Sequence, residues 1–597
     1  MLYPIQNRVR NRLDISGIWD FKPDPDGIGE ANGWALGLTN ARPIAVPGSW
    51  NEQYEDLFGY LGLAWYVKRI YVPAGWRGER VFLRVGSACY LGTVYVNGVK
   101  VGTHEGGHLP FAFEITDHIR WDEENIVAIS VENELRPDRV PSGNMPRRER
   151  GMFMGTPATT FDFYPFAGLH RPVVLYTVPQ THIEDITVIT EVNGAGPRAT
   201  ADGVVKVQVK LNAAADGPGR VQLKGDATSI TADLAFVKGV AEAALHVPDA
   251  RLWSDKAPYL YDLTVTTAAD QYSLKVGIRT IAVADGQILL NGRPVKLNGF
   301  GRHEDFIASG KGLNLPLLIK DYQLMRWTGA NSYRTSHYPY SEEEMQLADR
   351  EGFLIIDEIP AVSLQLADEA NNPARLRLCL QQIEELIARD KNHPAVVMWS
   401  VANEPMPAGF GVGELGSHAD DEKNRAGKAF LDALLDKAHA LDPTRPATIV
   451  MIMGSPLSWL EQCDVICVNR YWGWYTLGGQ LDLARQRLIA ELDQMWAQFH
   501  KPIIMTEFGA DTIPGYHGHP GLMWTEEYQA DYVRCHLEVA ATRDYVAGMQ
   551  VWNFADFAAV PSIMRVGGLN HKGVFTRTRT PKMAAHVLRE FWTKTSK

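Results

Sequence analysis

Cysteine is scarce in this chain: five among 597 residues, at Cys89, Cys379, Cys463, Cys467 and Cys535. The odd number argues against a disulfide framework, and Cys463 and Cys467 lack the second pair that a zinc site needs. Long hydrophobic runs are also missing. No stretch approaches the ~20 apolar residues that cross a bilayer, and Met1-Leu2-Tyr3-Pro4-Ile5-Gln6-Asn7-Arg8 lacks the apolar core of a signal peptide. Positive charge is in deficit, with 59 Lys and Arg against 70 Asp and Glu, a net charge of −11. That balance disfavours a nucleic-acid or anionic-membrane partner but permits a local basic pocket. Internal repeats and low-complexity segments are absent as well. The expectation is a cytoplasmic globular protein, too long for one core, with two to four domains.

What is present changes character along the chain. From about 14 to 180 the sequence is a series of short strand signals, such as Val81-Phe82-Leu83-Arg84-Val85 and Ile126-Val127-Ala128-Ile129-Ser130-Val131. Asn97-Gly98, set between Val94-Tyr95-Val96 and Val99-Lys100-Val101, predicts a tight hairpin. From 181 to 282 alternating segments such as Val205-Lys206-Val207-Gln208-Val209-Lys210-Leu211 fit a small β-sandwich. Beyond Asn291-Gly292, strands alternate with helices, and Ser341-Glu342-Glu343-Glu344 predicts a helix start with a capping box. Eight apolar runs follow, near 295–300, 331–336, 353–357, 395–399, 447–451, 465–468, 503–505 and 547–552. Strands buried on both faces read this way, so a closed (β/α)8 barrel is expected. A doubly wound open sheet is the alternative, weakened because no Gly-rich phosphate loop follows the first strand.

Two of these runs end on glutamates: Glu404 in Trp399-Ser400-Val401-Ala402-Asn403-Glu404-Pro405, and Glu507 in Ile503-Ile504-Met505-Thr506-Glu507-Phe508-Gly509. The strand count places them after strands four and seven, on the C-terminal rim where barrel active sites lie. Paired carboxylates suit glycoside hydrolysis, with about 5–5.5 Å between them for retention and about 6.5–9.5 Å for inversion. Alone, Asn-Glu-Pro reads more simply as a strand end, Pro405 closing the strand beside a solvated glutamate. The second rim glutamate makes the pair a catalytic candidate.

The segment around Glu404 resembles the acid/base motif of glycoside hydrolase family 2, and Met505-Thr506-Glu507-Phe508-Gly509 resembles its nucleophile motif. The similarity runs the full length. It is strongest to the β-glucuronidase branch, through Asn331-Ser332-Tyr333-Arg334-Thr335-Ser336-His337-Tyr338-Pro339-Tyr340, Asn469-Arg470-Tyr471-Trp472-Gly473-Trp474-Tyr475 and Val551-Trp552-Asn553-Phe554-Ala555-Asp556-Phe557. The resemblance implies a jelly-roll β-sandwich over 1–180, an immunoglobulin-like β-sandwich over 181–282 and a TIM-barrel catalytic domain over 283–597. It implies retaining, exo-acting hydrolysis of β-D-glucuronides, releasing D-glucuronic acid and an alcohol through a covalent glycosyl-enzyme. Glu404 is then the acid/base, Glu507 the nucleophile, Tyr471 a contact to the nucleophile and Asn403 a donor to the sugar 2-hydroxyl. Relatives are often tetramers, so a homo-oligomer is expected.

A uronic acid carries a carboxylate at C6, and Asn570 and Lys572 match the Asn-x-Lys pair that holds it in such enzymes; Arg565 adds a further cation. Leu569 is an extra residue beside that pair, which leaves β-galacturonide hydrolysis as an alternative. Asp162 matches a residue that reaches the sugar hydroxyls from the N-terminal domain. His337, Trp552 and Tyr475 are candidates for sugar contact, each with core packing as the plain alternative. Asp357 and Glu358 read as structural acceptors, and His303-Glu304-Asp305 lacks partners for a metal. No cofactor is expected, since hydrolysis moves only protons and one glycosyl group. The connection from Ile359 to Gln382 is short, which by resemblance implies an open site for larger glucuronides. A non-catalytic carbohydrate-binding protein is the reading from another class, disfavoured because it has no use for a proton donor opposite a nucleophile.

Overall fold

A computed structural model of the chain describes residues 1–143, 159–193, 200–408 and 422–595. In the N-terminal part a six-stranded sheet and a four-stranded sheet share one core. The first sheet runs in the order Arg42–Val46, Gly17–Asp24, Leu63–Tyr71, Glu124–Glu132, Leu91–Val96, Val99–Glu105. The second comprises Arg12–Asp14, Val173–Val178, Arg80–Val85 and Phe111–Glu114. Val96 pairs with Val99 across Asn97 and Gly98, whose φ angles of 52° and 83° are those of a type I′ turn.

The middle part pairs a three-stranded sheet (Ile183–Asn193, Thr200–Leu211, Val240–Arg251) with a four-stranded one (Ser229–Phe236, Gly217–Lys224, Tyr261–Thr267, Gln271–Val276). Alternate residues point inward, so Val205, Val207 and Val209 meet Val221, Leu223, Leu263 and Val265. This is the two-sheet sandwich expected of the alternating pattern.

The C-terminal part is a closed barrel of eight parallel strands: Leu297–Gly301, Ser332–Arg334, Leu354–Glu358, Val396–Asn403, Ala447–Met451, Ile466–Asn469, Ile503–Glu507 and Val546–Val551. All eight lie where the apolar runs predict them. Every residue of strand four is buried, which is why it reads as a continuous apolar run. The predicted capping box is only half formed. The Ser341 side chain accepts from the Glu344 amide at 3.2 Å, but the Glu344 carboxylate turns inward to buried Arg302 instead of back to the cap. The Ser341 amide that the box would have served donates to the Glu304 carboxylate at 3.3 Å instead, so that buried donor is not left unpaired.

Buried ion pairs join the parts: Arg84 to Glu342 at 2.6 Å and Arg171 to Glu304 at 3.1 Å link the first sandwich to the barrel. Arg10 to Asp270 at 2.6 Å links the two sandwiches. Among the described residues no helix is long and apolar enough to cross a membrane, and no group of His, Cys, Asp and Glu is arranged to hold a metal.

Candidate active site

Glu507 is the last residue of strand seven and is buried. One carboxylate oxygen accepts from Arg334 Nη2 at 2.6 Å and the other from the Tyr471 hydroxyl at 2.7 Å. Arg334, at the end of strand two, has no exposed surface. Its Nη1 donates to both oxygens of Glu358, at 2.7 and 3.0 Å. Glu358 also accepts from Ser400 Oγ at 2.7 Å and lies 2.9 Å from His337 Nδ1. A buried cation thus sits between two carboxylates from strands three and seven. Burial pushes the Glu507 carboxyl upward, while the Arg334 charge and the Arg334 and Tyr471 hydrogen bonds pull it back toward the ionised form.

Glu404 follows strand four with φ 48°, a left-handed conformation uncommon outside glycine. Its amide donates to the Val450 carbonyl at 2.8 Å, which holds that geometry against strand five. The side chain accepts from Asn469 Nδ2 at 3.0 Å. The orientation of Asn469 follows from its partners, because Thr506 Oγ1 donates to its carbonyl oxygen at 2.9 Å. Burial, and next the negative charge of Glu507, push the Glu404 carboxyl up to about 8. Glu404 therefore keeps its proton near neutrality, while Arg334 and Tyr471 favour the charged form of Glu507, the opposed biases that acid/base chemistry uses. Asn403 Oδ1 accepts from Asn469 and Arg334, at 3.2 and 3.3 Å, so its amide nitrogen is the end available to a ligand.

Both glutamates line a cavity of about 570 Å³ together with Asp162, His337, Asn403, Tyr471, Tyr475, Trp552 and Arg565. His337 Nε2 lies 3.6 Å from Glu507, and its ring stacks on Trp552 at 5.0 Å. Asn570 and Lys572 stand behind the lining. After strand eight, Phe557–Ala558 pairs with Leu569–Asn570, so Leu569 occupies a strand position opposite Ala558 and Asn570 opposite Phe557. Leu569 is thereby absorbed into the hairpin, with Asn570 and Lys572 both buried beyond it.

Lys572 Nζ donates to the Tyr475 hydroxyl at 2.7 Å and also pairs with Asp511. Asn570 Nδ2 donates to Asp162 at 2.9 Å. Arg565 Nε donates to Asp162 at 2.8 Å, and its Nη2 reaches both Asp162 and, at 3.0 Å, the Tyr475 hydroxyl. A carboxylate of the N-terminal part thus sits among the donors that sequence reasoning assigned to a substrate carboxylate. Asp162, expected to reach sugar hydroxyls, is engaged here with Arg565 and Asn570 and so orients both side chains.

The comparisons with known proteins agree along the whole chain. The family model described as "Glycosyl hydrolases family 2, TIM barrel domain" matches residues 281–596. The family's sugar binding domain matches 12–179, and its further domain model matches 181–279. The chain belongs to glycoside hydrolase family 2. Within that family it is 41% identical to a β-glucuronidase of Paenibacillus borealis, over 99% of this chain and 98% of the relative. It is 39% identical to that of Felis catus, over 99% and 92%. Among solved structures, β-glucuronidase from Ruminococcus gnavus in complex with D-glucuronic acid superposes with a TM-score of 0.89 at 37% identity, covering 99% of both chains.

Sequence reasoning passed over three residues of this family 2 site. The signal at Arg334 is a lone cation ending a buried strand, which demands a carboxylate partner. Asn469 carried the equivalent signal at the end of strand six. Asp511 had none: it is four residues past the nucleophile, and its partner Lys572 is fixed only by the last barrel hairpin.

Proposed function

We propose that this family 2 hydrolase is a β-glucuronidase that removes terminal D-glucuronic acid with retention of configuration. The observation that carries the reading is the cluster of Arg565, Tyr475, Asn570 and Lys572, joined to the glutamates through Tyr471, whose ring lies 5.1 Å from Tyr475. A neutral sugar has no use for two cations converging on one hydroxyl. A C6 carboxylate entering this end shares the donors now held by Asp162 and Tyr475.

On this reading each step falls to a named group. Glu404 holds a proton at neutral pH and donates it to the leaving oxygen. Glu507, its oxygens aimed by Arg334 and Tyr471, attacks the anomeric carbon and forms a glycosyl ester. Ester formation cancels the Glu507 charge, one of the causes that hold the Glu404 carboxyl up. Glu404 becomes more acidic at that moment and is left as the carboxylate that accepts a proton from the attacking water. Burial and Arg334 keep His337 neutral, suiting it to a hydrogen-bonding role beside Glu507 rather than a second charge.

Val362 and Ser363 of the short connection after strand three line the cavity, which favours an open rim that accepts larger glucuronides. The five buried, free cysteines are compatible with a cytoplasmic enzyme. The test is a panel of p-nitrophenyl β-glycosides varied at C4 and C6. The glucuronide is expected to give the highest kcat/KM; faster cleavage of the galacturonide overturns the substrate assignment. The β-anomer of glucuronic acid is expected as the first product by NMR, and the α-anomer refutes retention.

A further inference from the structure

Lys311 takes no part in the chemistry above, yet it is a lysine with only 2% exposure, in the connection after the first barrel strand. Its Nζ stands 3.6 Å from the centroid of the Tyr338 ring and 4.6 Å from that of Phe163. The one hydrogen-bonding partner of that Nζ among the described residues is His108 Nε2, at 3.4 Å. His108 in turn stacks on Tyr338 at 4.7 Å. The acidic groups that act on the lysine, Glu304 and Asp305, are already engaged by Arg171 at 3.1 Å and Arg577 at 2.6 Å. Arg171 opposes its charge, and Cys89, His108 and His170 complete the titratable surroundings. Burial pushes the Lys311 ammonium down to about 8, so it is charged at neutral pH, while both imidazoles are neutral. Aromatic faces, not a carboxylate, are what hold this cation.

Those faces belong to two different parts of the chain. Phe163 comes from the N-terminal sandwich and stacks on Phe161 at 4.3 Å, so the two rings bracket Asp162. Tyr338 comes from the barrel and directly follows His337, which stacks on Trp552 and approaches Glu507. Phe163 and Tyr338 meet edge to face at 5.5 Å. We propose that Lys311 is a positioning residue: its ammonium, held between Phe163 and Tyr338, keeps Asp162 and His337 in register across the domain boundary and so sets affinity for the sugar. The inference rests on the glucuronidase reading above.

Lys311→Met fills the same space without the attraction. A desolvated cation–π contact of this kind corresponds to a rise in KM for p-nitrophenyl β-glucuronide of about tenfold, with kcat changing less. Lys311→Arg keeps a cation over both rings and is expected to stay within about twofold of the native KM. A purely structural role predicts a fall in melting temperature. Positioning predicts none, because Met removes a buried charge that has no carboxylate partner. The deciding measurement is a cycle with Asp162→Asn. That change raises KM by itself, and adding Lys311→Met to it is expected to raise KM little further. A native KM in Lys311→Met, fully multiplicative effects in the double variant, or a lowered melting temperature each overturns the proposal. Lack of turnover by the native protein refutes the glucuronidase reading instead. In that case the same series read as Kd for D-glucuronic acid, by calorimetry, still tests the positioning role.

Discussion

Replacing Tyr471 by phenylalanine removes one hydroxyl and leaves Glu507 with a single strong donor. In the native protein the carboxylate accepts from Arg334 on one oxygen and from Tyr471 on the other, at 2.6 and 2.7 Å. Both bonds favour the ionised form, against burial, which favours the neutral one. A hydrogen bond to a buried charge is worth about 1.5–3 kcal/mol. One pH unit corresponds to about 1.4 kcal/mol, so losing the bond moves the titration of Glu507 upward by about one unit or more. The nucleophile must be ionised, so the acid limb of kcat/KM shifts to higher pH by that amount. The loss is therefore largest on the acid side and smallest on the plateau. The assay is kcat/KM for p-nitrophenyl β-glucuronide across pH, which reports groups of the free enzyme. An acid limb unmoved in Tyr471→Phe refutes the claim that Tyr471 tunes Glu507.

The opposite limb belongs to Glu404: with its carboxyl held up to about 8, kcat/KM is expected to fall as pH rises through that value and the donor loses its proton. Glu404→Gln should cost roughly 100-fold or more on a poor leaving group and far less on a dinitrophenyl glucuronide, which needs little protonation; equal losses on both contradict the assignment. Lys572→Met removes a buried cation next to Tyr475 and is expected to lower kcat/KM on the glucuronide by roughly 10- to 100-fold while narrowing its preference over the glucoside. Arg84→Met strands the buried Glu342 carboxylate at the contact between the first sandwich and the barrel. It should destabilise that contact by about 3–5 kcal/mol, read as a lower melting temperature, with an unchanged melt ruling out a docking role.

The barrel was legible because its strands are buried on both faces, so each announces itself as an apolar run wherever it pairs. The hairpin at Asn97-Gly98 was legible because only a few residues take positive φ at two successive positions. Glu404 and Glu507 stood out as charges where apolar strands end. The wiring between them did not, since Arg334 finds Glu358 at a sequence separation of 24 and Glu507 at one of 173, distances at which one sequence holds no pairing information. The turned-in Glu344 failed for a related reason. Its local pattern fitted a cap, and only the folded core supplies the competing Arg302. Asp162 was visible as a candidate, but its grip on Arg565 and Asn570 depends on how a sandwich loop meets the last barrel hairpin.

That grip bears on how the enzyme can be divided. Both glutamates to which the chemistry is assigned lie in the barrel, which suggests a catalytic fragment of 281–596. Such a fragment would keep both glutamates but leave Arg565 and Asn570 without the carboxylate that orients them, since Asp162 belongs to the sandwich. The active site is in this sense a joint rather than a pocket. Exchanging the sandwich between relatives changes the recognition end of the site even when no barrel residue is touched.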